Sequence, residues 1–256
     1  MGAYLYFSSV LEFVRAKRLI PWLLLAVAGM GLAAAWPYLN RQADRTDQYT
    51  TVSAMLVFHV LALASAIYSL SIVSQEVEQK TIVYLLTRPV PRWKLLLARY
   101  FASASVVALL GILGAVLVSV GVYKGGAFAN PLLGKDIVAL IFGAFAYGAL
   151  FLLVSLLLNR AMIICLLFAF GWETIVPNMP GEMYRLSVYT HVMAIADHPS
   201  SQTTPGPVSI ASGSLTASTL TPGAAYVTLL VLAVVLLAMS AAWFTHFEYV
   251  PREDAE

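Results

Sequence analysis

The chain has 256 residues, 60% of them hydrophobic, with 15 basic and 13 acidic side chains and a mean hydropathy of +0.82. A charged fraction of 11% is less than half the roughly 25% of soluble domains, so too few polar groups exist to cover a water-exposed globule. A net charge of +2 gives no ground for nucleic-acid binding, and long unbroken apolar runs exclude a membrane β-barrel, whose strands read as short alternating segments. The expected class is an all-α polytopic membrane protein, a single domain over 1–256.

Residues 1–18 precede the first apolar run. Tyr4, Phe7, Leu11 and Val14 recur at helical spacing while Ser8, Glu12 and Arg15 fall elsewhere, which predicts an amphipathic helix lying on the membrane surface. The basic Arg15–Arg18 stretch, an apolar run and Ala33–Ala35 also fit a cleaved secretory signal, but 21 apolar residues from Leu19 to Leu39 make a full span. Six spans are expected at about 19–39, 52–74, 95–122, 137–158, 161–176 and 224–247. With the N-terminus inside, the inner loops receive ten Lys and Arg and the outer loops five, which predicts N-in and C-in.

Within the second span, His59 sits among Ser53, Ser65, Ser69 and Ser71 and reads either as a helix–helix hydrogen-bonding group or as a functional one. Gly111 and Gly114 in the third span, and Gly143 and Gly148 in the fourth, mark close packing faces. Asn159-Arg160 makes a tight hairpin into the short fifth span, which ends at Glu173; that carboxyl should face a cavity or the outer interface. The segment 177–223 is expected outside: a moderately apolar half able to form short helices on or in the outer leaflet, then a Ser/Thr-rich loop from Ser200. His191, Asp197 and His198 are weak metal candidates there, Cys165 is a buried apolar group, and Ala129–Asp136 only imitates a phosphate-binding loop.

The remaining segment, 75–94, departs from the apolar background. Val77, Thr81, Tyr84 and Leu85 share one helical face with Glu76, Glu78 and Lys80 displaced from it, and Pro89 and Pro91 then force a rigid turn before Arg92. Glu76-Val77-Glu78, Thr81, Leu85-Leu86 and Arg88-Pro89-Val90-Pro91-Arg92, followed by Arg99, resemble the corresponding loop of ABC-2 type transporter permeases. Lys80 and Pro91 depart from the commoner Gly and Ser and resemble the nitrous-oxide-reductase maturation subgroup.

That resemblance implies a type V exporter-like transmembrane subunit in a prokaryotic plasma membrane. It further implies a dimer, with itself or with a related permease, working with two copies of an ABC ATP-binding subunit. ATP and Mg would be held by the partner, with no cofactor, metal or catalytic group on this chain. The loop would be the coupling helix, with Glu76, Val77, Glu78, Thr81, Tyr84, Leu85, Arg88, Pro89 and Arg92 meeting the ATPase. A membrane anchor that binds a partner through 177–223, and an intramembrane enzyme built on His59 and Glu173, are the competing readings.

Overall fold

The computed structural model describes residues 2–39, 44–78, 92–158, 161–179, 182–198 and 220–246. Among these every regular element is helical. The helices are α1 (Gly2–Phe13), α2 (Ala16–Leu39), α3 (Arg45–Val52), α4 (His59–Glu78), α5 (Arg92–Tyr123), α6 (Pro131–Leu157), α7 (Ala161–Leu167), α8 (Val188–Ala196) and α9 (Pro222–His246). A π-helical stretch, Ser53–Phe58, joins α3 to α4, so one continuous helical rod replaces the polar loop and shorter span expected there. A second, Phe168–Trp172, extends α7 to a final turn at Glu173–Ile175.

Five helical rods are long and apolar enough to cross a membrane: Lys17–Tyr38, Arg45–Ile72, Trp93–Phe128, Pro131–Leu157 and Pro222–Thr245. The shorter apolar rod Ala161–Ile175 covers about 22 Å at 1.5 Å per residue, less than the roughly 30 Å of hydrocarbon. The fourth span begins six residues earlier than its hydropathy suggests. Asn130 caps it through Oδ1 to the Leu132 N–H at 3.1 Å, and Pro131 occupies the first turn, where no N–H is needed.

α6 is the central post, contacting α4, α5, α7, α8 and α9. Small residues set these approaches. A Cβ on Gly143 would meet Leu61 at 2.8 Å and Val192 at 3.1 Å, and one on Gly111 would meet Leu61 at 3.1 Å. Interhelical hydrogen bonds add to the packing: Tyr100 Oη donates to the Phe145 carbonyl at 2.7 Å and Ser69 Oγ to the Gly148 carbonyl at 3.2 Å. α2 and α9 are peripheral, with only 11% of each span buried, as expected of helices turned toward lipid or another chain.

Helix α1 has two apolar faces. Phe13 is buried and Tyr6 and Val10 pack on the core, with Tyr6 Oη donating to Ser105 Oγ of α5 at 3.0 Å. Tyr4, Phe7, Leu11 and Val14, the stripe read from the sequence, point away from the bundle. The end of the bundle where α1 meets α2 is called the near end here, and the end where α2 meets α3 the far end.

The tightest contact at any described glycine joins α2 to α5: a Cβ on Gly121 would stand 2.7 Å from the Met30 carbonyl oxygen, so a methyl there must push one helix away. Gly121→Ala should therefore lower the thermal-unfolding midpoint in detergent, by overpacking worth about 1–3 kcal/mol. Gly31→Ala, where nothing lies within 4 Å, should leave it unchanged or raise it through better helix propensity.

Candidate functional site

Two polar constellations sit inside the far half of the bundle, and α8 links them. The first is centred on Asp136, in the second turn of α6 and fully buried. Tyr49 Oη donates to Oδ2 at 2.5 Å, Ser53 Oγ reaches the same oxygen at 3.4 Å, and His198 Nε2 lies 2.9 Å from Oδ1. His198 is sealed by the rings of Phe58 and Tyr49, both meeting it edge-on at 5.5 Å and 6.2 Å. Neither atom of the Nε2–Oδ1 contact has hydrogen-bond geometry, and His198 Nδ1 is also without a partner, so the two side chains form a close buried contact at ion-pair distance.

Local backbone geometry makes this pairing possible. Asp197 ends α8 in the left-handed region (φ 56°), which turns the chain so that successive side chains meet successive residues of α6. Asp197 pairs with Lys135 at 2.6 Å on the exposed side, and His198 pairs with Asp136 on the buried side. The outer pair is more than half exposed and adds at most about 1 kcal/mol. The inner pair carries the attachment.

The second constellation is at the other end of α8, which descends along α6 to the level of Gly143, against which Val192 packs. Glu173, 2% exposed, accepts from Ser187 Oγ at 2.6 Å, from the Val188 N–H at 3.2 Å and from the Tyr189 N–H at 2.9 Å. Its carboxylate thus satisfies the first free N–H groups of α8, where the helix dipole also favours negative charge. Ser187 completes the cap by accepting from the Thr190 N–H at 3.3 Å. His59, the residue that follows the first π segment, uses Nδ1 to donate to the Ala54 carbonyl at 2.8 Å, and its ring lies 4.9 Å from that of Tyr189.

The structure therefore brings His59 and Glu173 together on one residue, Tyr189, with the Glu173 oxygens occupied in capping a helix. His191 donates through Nδ1 to the Ser187 carbonyl at 2.9 Å, Asp197 is held by Lys135, and His198 by Asp136; no group of three metal-ligating side chains occurs among the described residues. Of the loop residues, Glu76, Val77 and Glu78 lie on the last turn of α4 and Arg92 opens α5, both at the near end. Thr81, Tyr84, Leu85, Arg88 and Pro89 fall outside the described residues, as do Lys80 and Pro91.

Sequence reasoning passed over Asp136 and Tyr49. The available signal was the cost of an Asp at the head of an apolar run, which demands a buried partner; Lys135-Asp136 and Asp197-His198 are complementary dipeptides that supply it.

A family profile described as ABC-2 family transporter protein matches residues 10–179, two thirds of the chain. The match takes in α4, the segment 79–91 and α5, and it stops before α8. No curated protein matches the chain.

Proposed function

Because the chain belongs to the ABC-2 family transporter proteins, and so is a multi-pass membrane permease component that associates with an ATP-binding subunit, we propose that it exports or flips its substrate on energy from that separate chain. The observation that carries this reading is the position of the charged segment. Glu76–Glu78 close α4 and Arg92 opens α5 at the near end, so the charged segment joins two core helices in sequence there. A push on that segment bears directly on α4 and α5, which pack against each other and against α6.

In this reading the near end is cytoplasmic and the short rod Ala161–Ile175 completes a sixth crossing with the help of the segment that follows it. The residues meeting the ATPase are Glu76, Val77, Glu78, Thr81, Tyr84, Leu85, Arg88, Pro89 and Arg92. The complex holds two permease chains and two ATPase chains in a prokaryotic plasma membrane, with ATP and Mg on the ATPase. Lys80 and Pro91 favour the nitrous-oxide-reductase maturation subgroup.

Orientation is tested by cysteine labelling of intact cells in a Cys165→Ser background. A cysteine at Ser212 should react with an impermeant maleimide and one at Gln79 should not. The reverse pattern would invert the topology and remove the coupling role from 76–92. The purified chain should also show no ATP turnover until the ATP-binding subunit is added.

A further inference from the structure

A cleft opens between α2, α4 and α5, with about 440 Å³ of empty space counting its open side. It runs from Trp22, in the second turn of α2, to Gly29 near that helix's middle, about 10 Å along the axis. Val60 on α4 and Val107 and Gly114 on α5 form the opposite walls. Apart from the Trp22 indole, every lining residue is aliphatic or glycine. A Cβ on Gly114 would stand at ordinary contact distance from Val57, 3.7 Å, whereas one on Gly111 would crowd Leu61 at 3.1 Å, so the cleft is roomier at Gly114. On the same helix Leu23, Leu24 and Val27 are exposed, and in a multi-pass membrane protein that face of α2 meets hydrocarbon.

A second observation lies at the near end of the same cleft. Tyr68 sits one turn beyond the lining residue Ala64 on α4, and its ring meets Trp22 at 6.4 Å and Phe13 at 5.8 Å. The residue is 2% exposed, yet its hydroxyl has no hydrogen-bond partner. A buried hydroxyl left unpaired is costly, so such a group signals an acceptor that belongs beside it. Arg18 is near enough to act on Tyr68 electrostatically, and Arg15 and Lys17 flank it in sequence. The level is that of α1, whose exposed Tyr4, Phe7, Leu11 and Val14 suit the interface between headgroups and chains. An acceptor-bearing anionic head at this level, with a hydrocarbon tail rising beside it, fits both features.

We propose that this cleft is a binding site for one anionic phospholipid of the near-end leaflet, with an acyl chain between α2, α4 and α5 and its phosphate–glycerol oxygens accepting from Tyr68 beside Arg18. The site stands apart from the coupling segment and does not depend on transport. Bound there, the lipid fills the open side of the cleft between the first span and the core, and ties α2 to α4 and α5.

The test uses the full-length chain purified in mild detergent, incubated with phosphatidylglycerol or phosphatidylcholine of equal chain length, washed, and examined by native mass spectrometry. The wild type should keep one phosphatidylglycerol per chain and little phosphatidylcholine. Tyr68→Phe, which removes only the hydroxyl, should lower the retained fraction at least threefold, and Gly114→Leu, which fills the cleft, should abolish it. If Gly114→Leu does not fold, Val60→Phe occupies the same space from α4. No retained lipid, equal retention of the two lipids, or retention indifferent to either change would mean an ordinary lipid annulus and overturn the site.

Discussion

His198→Ala is expected to destabilise the folded chain by about 3–5 kcal/mol, the usual cost of removing one partner from a buried pair. Asp136 is fully buried, and His198 Nε2, at 2.9 Å, is the polar group facing its Oδ1, while Tyr49 and Ser53 serve Oδ2. The reciprocal change, Asp136→Ala, strips the Tyr49 hydroxyl of its acceptor and His198 Nε2 of its polar neighbour, and should cost a similar amount. The double variant should cost less than the sum, because neither partner then remains as an uncompensated buried group. Lys135→Ala and Asp197→Ala, which break the exposed pair beside it, should each change stability by less than about 1 kcal/mol. Reversible unfolding in mixed micelles reads all five. Additivity of the buried pair would show that His198 and Asp136 do not interact, and that α8 is held by its apolar contacts alone.

A functional consequence follows from where that pair sits. α8 is attached to the bundle at both ends: by Asp136 and Lys135 at its C-terminus and by the Glu173 carboxylate at its N-terminus. Between these, Val192 fills the notch at Gly143, where Leu61 of α4 also enters. Movement of α4 relative to α6 therefore disturbs the seat of α8 through two apolar side chains meeting over one glycine. A segment outside the family match is thus mechanically joined to the helices that carry the match.

How much of this was open to sequence reasoning depended on the physics each feature rests on. Burial of long apolar runs is additive along the chain, so the five long helical rods and the short rod at Ala161–Ile175 were all legible as apolar stretches. Helix ends were less so. Arg45, Asp47 and Gln48 look like loop residues by polarity, yet they begin a helix whose polar groups are met in tertiary structure: Gln48 Nε2 donates to the Ala33 carbonyl at 2.5 Å, and Tyr49 reaches Asp136 across 87 residues. No window along the chain contains both partners. The π segments at Ser53–Phe58 and Phe168–Trp172 left no sequence signal that we can name. Each is followed directly by a polar residue, His59 or Glu173, that engages Tyr189. Such insertions often mark functional positions, and here they set the rotation of two helices toward α8.

The largest effect on function is expected from charge reversal in the segment between α4 and α5. Glu76 and Glu78 lie on the last turn of α4, and with Val77 they carry the acidic start of the stretch that resembles a coupling helix. Against an ATPase surface that offers basic or backbone N–H groups, Glu76→Lys/Glu78→Lys replaces attraction by like-charge repulsion in a partly desolvated contact, at a cost of several kcal/mol. At about 1.4 kcal/mol per factor of ten, affinity for the ATP-binding subunit should fall by at least a hundredfold. Folding should survive, since the change adds positive charge on the side the topology favours and the core around α6 is untouched. Expression and cysteine accessibility should therefore match the wild type while co-purification of the ATPase, or stimulation of its turnover by transport, is lost. Asp44→Lys, at the start of α3 at the far end, supplies the control and should leave the association intact. A double variant that still assembles and transports normally would show that the acidic turn is a solvated connector, and that the force from ATP enters the bundle elsewhere.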